Sequence, residues 1–156
     1  MRNLKGGITL KGKYRIIQTD SITGKLIKKS KWINNLIMFG TNTGMSIILN
    51  RLGNVTTYDC IITSGEIGTG TNPPTGSDTA LQTPVVTGIT TAGSTINSTN
   101  VLISFFIPSA SLANGTYTEF LLRAGTQAFA RSIITPSYVK GANVDTTIEY
   151  IITGSN

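Results

Sequence analysis

The stretch Thr99-Asn100-Val101-Leu102-Ile103-Ser104-Phe105-Phe106-Ile107-Pro108 decides how the chain is read. Leu102, Ser104 and Phe106 point one way along it; Ile103, Phe105 and Ile107 point the other. A strand that is apolar on both faces is either covered on both faces or meets a partner. Further strands follow at Thr116 to Ala124, Ala128 to Ile134 and Asp145 to Thr153, separated by the turn stretches 112–115, 125–126 and 140–143. Upstream, Pro84-Val85-Val86 opens another strand, and the Thr/Ser/Gly-rich segment Thr87 to Thr99 reads as a flexible hairpin tip. Tyr58 to Ile67 is apolar and β-branched, which predicts a buried strand.

The first third has the same grammar. Gly6 to Thr19 alternates with a period of two, Asp20 to Gly24 carries Asx and glycine turn chemistry, and Lys25 to Trp32 returns as a second strand. At Asn34-Asn35-Leu36-Ile37 the period changes. Leu36, Phe39, Ile47, Ile48 and Leu52 predict one short helix near residues 42–52, capped by Thr41 or Asn42 and ended by Gly53. Residues 68–77 hold two prolines and three glycines, so they form a loop. Asp78 to Leu81 is expected to add one helical turn, with Ser77 or Asp78 as its cap. Seven or eight short strands at regular spacing predict a mainly β, single-domain antiparallel sandwich or barrel spanning 1–156.

A chain of 156 residues buries enough surface to fold without a metal or a disulfide. The single cysteine, Cys60, lies in the apolar run Cys60-Ile61-Ile62 and reads as a small buried hydrophobe. There is no histidine, which removes Ser-His-Asp and Cys-His catalysis and the usual zinc ligand. The seven carboxylates are scattered, with no pair at a catalytic spacing. The expectation is a protein that is not an enzyme, with no catalytic residue, no metal ligand set and no cofactor. No apolar run approaches the ~20 residues that span a bilayer. The basic, alternating N-terminal stretch has no secretory h-region.

Charge is uneven. Residues 1–32 carry nine basic side chains against Asp20 alone, a net +8, and the remainder carries −2. The hairpin over residues 1–33 is therefore a candidate docking element for an acidic partner.

The string IGTGTNPPTGSDTALQTPV at residues 67–85 resembles a loop of many small virion proteins of tailed bacteriophages. There, a Gly-Thr-Gly-Thr element, one or two prolines and a Ser-Asp-Thr-x-Leu element stand in the same order. The surroundings are similar as well: Asn35-Leu36-Ile37 before a glycine and a short helix, Glu119-Phe120-Leu121-Leu122 after an Asn-Gly turn, and Phe129-Ala130-Arg131 leading into a Pro136 turn. The match covers most of the chain in order, with only the central loop specific. Phe120 departs from the pattern, which often has glycine there. The resemblance implies a structural virion protein of tail, baseplate, collar or head surface. Its expected partners are copies of itself in a homo-oligomer and other virion proteins, and its expected location is the virion, assembled in the bacterial host cytoplasm. Capsid decoration, a head fibre, and a receptor- or carbohydrate-binding tip module are the alternatives; nucleic acid and membrane are not expected partners.

Candidate interface residues are Lys11, Lys13, Arg15, Lys28, Lys29 and Lys31 of the basic hairpin, with Gly68, Gly70, Pro73, Pro74 and Asp78 of the loop. As a phosphate cradle the loop fails: Pro73 stands where the dinucleotide fingerprint needs glycine, and there is no Gly-Lys-Ser/Thr. A structural loop or an intersubunit contact fits better. The basic hairpin reads as a solvated strand face, a docking face, or a nucleic-acid binder with Tyr14 and Trp32 for stacking. Tyr58, Tyr117, Tyr138 and Tyr150 are weighed as a sugar-binding surface, and Asp78 with Glu66 as a calcium site.

Overall fold

The computed structural model describes residues 9–155. Among them run β1 (Thr9–Asp20), β2 (Leu26–Lys29), β3 (Ile33–Ile37), α1 (Gly44–Leu52), β4 (Ile62–Gly68), β5 (Pro84–Ile96) and β6 (Asn100–Ile107). A 3₁₀ turn (Ser109–Ser111) leads to β7 (Gly115–Ala124), β8 (Gln127–Lys140) and β9 (Val144–Ser155). The strands pair in the order β1-β3-β8-β7-β4-β5-β6-β9, and β9 pairs back onto β1. The result is a closed eight-stranded antiparallel barrel, with β2 as an extra strand beside β1. Of the two predicted architectures, the barrel is the one formed.

Closure rests on β1 and β9, which pair along their whole length, from Thr9 opposite Ser155 to Asp20 opposite Val144. Period-two alternation then sends Tyr14 and Ile16 of β1, Ile148 and Tyr150 of β9, Ile103, Phe105 and Ile107 of β6, and Phe120 and Leu122 of β7 into the interior. The Phe120 ring meets Phe105 edge-on at 5.8 Å and Tyr14 at 6.3 Å. Each large side chain fully buried in this way contributes about 1.5–3 kcal/mol. An eight-stranded barrel is just wide enough for side chains to fill it, and here the rings of Tyr14, Tyr150, Phe105 and Phe120 occupy its middle.

Between β1 and β8 the wall is completed partly by side chains. β3 pairs with β1 at Gly12–Tyr14 and with β8 at Leu36 and Ile37 only. Beyond β3, the Tyr14 hydroxyl donates to the Ile133 carbonyl (3.0 Å) and Gln18 Nε2 to the Val139 carbonyl (2.9 Å). Here β8 bulges: its pairing with β7 jumps from Ile133 opposite Glu119 to Tyr138 opposite Tyr117. Pro136, which has no N–H for a ladder, lies in this bulge, so the predicted Pro136 turn is an interruption inside a strand that continues to Lys140.

Other local expectations change as well: β2 stops at Lys29 rather than Trp32, and β4 begins at Ile62 rather than Tyr58. Residues 33–37 form a strand, not the approach to the helix. The helix begins at Gly44, with Thr43 at its N-cap; the Thr43 hydroxyl donates to the Gly40 carbonyl (2.8 Å) instead of capping. Gly44 has φ +30, and a Cβ there would overlap the Met38 carbonyl oxygen, so the position requires glycine. Gly53 ends the helix as expected, donating to the Leu49 carbonyl (3.0 Å). The Thr/Ser/Gly-rich segment is strand β5 up to Ile96, its tip reduced to a turn in which Asn97 Oδ1 accepts from the N–H of Thr99 (3.1 Å) and Asn100 (2.8 Å). Residues 78–81 make no helical turn.

Candidate functional site

On β7, Phe120 and Leu122 point inward, so Glu119 and Leu121 point outward; both are nonetheless buried, because the loop between β4 and β5 folds over them. The loop is fastened to Glu119. Its Oε1 accepts from the N–H of Gly70 (2.9 Å) and Thr83 (2.7 Å), and its Oε2 from the N–H of Gln82 (3.0 Å). Arg131 reaches the same carboxylate from β8, with Nη2 at 2.8 Å and Nε at 3.2 Å from Oε2. The Arg131 guanidinium also donates to Asp78 Oδ2 (2.7 Å) and to the Asn72 carbonyl (3.1 Å). Asp78 accepts from the Thr75 N–H (2.9 Å), and Gln82 Oε1 accepts from the N–H of Thr71 and Asn72 (2.9 Å each). Leu81 packs with Leu121 and Ala128 in a small second core beneath. The Gly76 carbonyl ties the loop to the segment after β3, accepting from the N–H of Phe39 (3.0 Å) and Gly40 (2.7 Å).

The charges in this network answer one another. Burial works to raise the Glu119 pKa, but the N–H groups of Thr83 and Gln82, the Arg131 guanidinium and the Gly70 N–H outweigh it and hold it below the usual carboxylate range. Asp78 is lowered in the same way, burial being outweighed by Thr75 and Arg131. Burial alone would lower Arg131, but its two carboxylates raise it. Gly68 and Gly70 are glycine because a Cβ would lie 2.7 Å and 2.5 Å from Glu119 Oε1. Both are buried and offer no surface to a partner; of the loop candidates only Pro73 is exposed, with Pro74 and Asp78 half-buried. The backbone N–H groups of Gly70, Thr71 and Asn72 are all spent on Glu119 and Gln82, leaving none of the three to cradle a phosphate. Glu119 and Arg131 were not among the candidate residues. Their signal was one acid and one base within the apolar strands EFLL and FAR, where a buried charge requires a partner.

The basic candidates belong to different strands from the loop, and the two groups do not form one site. Lys11, Lys13 and Arg15 alternate with the buried Gly12 and Tyr14, so they point outward from β1. Arg15 is engaged: it pairs with Glu149 and lies 4.4 Å over the Trp32 ring. Lys11, Lys13, Lys28, Lys29 and Lys31 are exposed. Lys29 stands opposite Ile17 and Lys28 opposite Gln18, so these two point to opposite sides of β2. Because β1 is a barrel strand, only the turn and β2 stand off as a docking element. Arg2 and Lys5, and residues 6–8 of the predicted first strand, lie outside the described residues.

Tyr117, Tyr138 and Tyr150 are buried and Tyr58 is half-buried, so the tyrosines form no sugar-binding surface. Glu66 pairs with Arg123 as Asp78 does with Arg131, and the two carboxylates serve arginines rather than a cation. Among the described residues no group of three or more His, Cys, Asp or Glu side chains is placed to hold a metal ion. Cys60 is half-buried against the core, and burial raises its thiol pKa. The outer surface carries large apolar side chains, including Ile22, Leu26, Phe39, Ile61, Ile96 and Phe106. The chain matches no protein-family model, no curated protein and no solved structure.

Proposed function

We propose that the chain is a non-enzymatic structural subunit of a tailed-phage virion, self-assembling and docking to neighbouring virion proteins, with the tail, baseplate or collar preferred over the head surface. The observation that carries the assembly part is where the apolar residues lie. The middle of the barrel is packed with aromatic rings, yet Ile22 and Ile96 are each 78% exposed and Phe39 69%, with Ile61 and Leu26 close behind. Apolar area left outside the core is what a subunit buries against its neighbours.

The phage part rests on the resemblance, and one geometric fact supports it. The pieces that carry the likeness, residues 67–85, Glu119 and Arg131, interlock in a single hydrogen-bonded network, so the likeness follows a physical unit of the chain. The carbohydrate-binding reading has lost its tyrosine surface. Nucleic-acid binding has lost Arg15 and Trp32 to each other and to Glu149.

Light scattering on the purified protein at moderate and high salt tests self-assembly, and a discrete salt-resistant oligomer is expected. A monomer at every concentration would remove the homo-oligomer. Antibody labelling of phage particles whose genome encodes the chain tests the location: label on tail, baseplate or collar is expected, and unlabelled particles would end the virion reading.

A further inference from the structure

We propose that the outer edge of β5 from Thr91 to Ile96 is the self-association edge of the molecule, pairing antiparallel with the same edge of a second copy about a two-fold axis. This rests on the structural-subunit reading and gives it a surface. β5 changes neighbours halfway. From Pro84 to Thr90 it pairs with β4, whose register with β5 ends at Ser64 opposite Thr90. From Thr91 to Ile96 it pairs with β6 alone, Gly93 opposite Ser104 and Ile96 opposite Val101. Among the described residues no strand covers the other edge of this half. Ala92 to Ile96 are exposed on both faces, yet the β6 register and the Asn97 turn hold them as a strand.

Open edges are ordinarily guarded by charge, proline or a bulge that turns them away. The edge strand β2 fits that rule, with Lys28 and Lys29. β5 carries no charge, since residues 79–118 contain no Asp, Glu, Lys or Arg, and its one irregularity against β6, between Thr91 and Gly93, leaves Gly93 to Ile96 in regular register. Where β4 parts from β5 there is an apolar cavity of about 430 Å³, whose lining includes Ile61, Ile62, Ile96, Val101 and Ile103. A strand added to β5 would direct alternate side chains into it.

Charge selects a second copy as the occupant. Residues 1–32 carry a net +8, so two copies repel through that face, whereas the neutral β5–β6 hairpin brings them together without opposing like charges. An acidic partner or a polyanion finds no cation there to hold. An edge pairing antiparallel with itself offers each copy the same donors and acceptors, as a two-fold interface requires.

The test compares the wild-type protein with the double variant Ala92→Lys/Ser94→Lys by sedimentation velocity, with Lys28→Ser/Lys29→Ser as the control on the other edge. Both altered β5 residues are exposed, and circular dichroism with thermal unfolding checks the fold. The expected result is an even-numbered wild-type oligomer whose stoichiometry is halved in the β5 variant and unchanged in the control. A wild-type oligomer that the β5 lysines leave intact overturns the edge but leaves the structural-subunit reading standing. A wild-type monomer at all concentrations overturns self-assembly itself. Amide exchange gives a second readout: protection at residues 91–96 rises with protein concentration, and concentration-independent exchange there overturns the proposal.

Discussion

Glu119 and Arg131 are both sealed beneath the loop after β4, and the guanidinium of one grips a single carboxylate oxygen of the other from two nitrogens, at 2.8 and 3.2 Å. The other carboxylate oxygen is left to the loop backbone. The pair therefore works as a clamp, with Arg131 holding the carboxylate and the carboxylate holding the loop.

Removing Arg131 leaves the buried Glu119 carboxylate without its cation, and removing Glu119 leaves Arg131 with Asp78 as its one carboxylate partner. Arg131→Ala is expected to destabilise the protein by about 3–5 kcal/mol, as measured by urea unfolding. Glu119→Leu is expected to cost at least as much, because it strands three N–H donors and removes one of the two carboxylates that face Arg131. A loss under about 1 kcal/mol from either variant would show that the loop does not depend on the clamp.

Acid should release it. Glu119 and Asp78 are both held below their ordinary values of 4.5 and 3.8, so the stability they contribute is complete above those values. It is lost as pH falls through the lowered folded-state values. The urea midpoint is expected to stay level down to about pH 5 and to decline below it, with a shallower decline in Glu119→Gln. Parallel profiles for the two proteins would assign the acid sensitivity to other carboxylates.

Tyr150 and Gly12 offer a cleaner pairwise measurement. A Cβ on Gly12 would overlap the Tyr150 hydroxyl and lie 3.0 Å from its ring carbon Cζ. That hydroxyl is buried and has no hydrogen-bond partner. Tyr150→Phe is therefore expected to be neutral or stabilising by up to about 1 kcal/mol. Gly12→Ala is expected to cost about 1–3 kcal/mol, and less in the Tyr150→Phe background. Strict additivity in the double-mutant cycle would refute the overlap.

At alkaline pH the interior tyrosines should resist ionisation until the barrel opens. Burial pushes Tyr14 up from 10.0 to about 12, and it raises Tyr138 and Tyr150 as well. Their contribution is intact below the ordinary value of 10.0 and is lost as pH rises through the folded-state values. Phenolate absorbance from these residues is expected to appear together with loss of the native circular dichroism, and ionisation well before unfolding would contradict their burial.

Strands with a buried face were legible in the sequence, from alternation in β1 and β9 and from apolar runs in β6 and β7. The segments that failed are those whose neighbours, not their own side chains, make them strands. β3 is short, interrupted by Asn34 and Asn35, and exists because it fills the gap between β1 and β8. Upper β5 is polar and exposed, and it is a strand because β6 lies beside it. Asp78 carries the local signature of a helix cap, but the distant Arg131 draws it elsewhere. The loop was visible from its glycines and prolines; its fastening was not, since it joins residues 36 to 59 positions apart.

The closing seam also sets a schedule for synthesis. The longest partner of β1 is β9, the last strand to be made, so a ribosome must deliver every strand in between before the two can zip together. Hairpins such as β5–β6 and β7–β8 have their partners at once, but the barrel has no lower-order closed form to rest in. β2 and β3 can pair with one edge of β1 early, but the edge that β9 takes stays open throughout, and the outward lysines of β1 keep it from pairing with other growing chains.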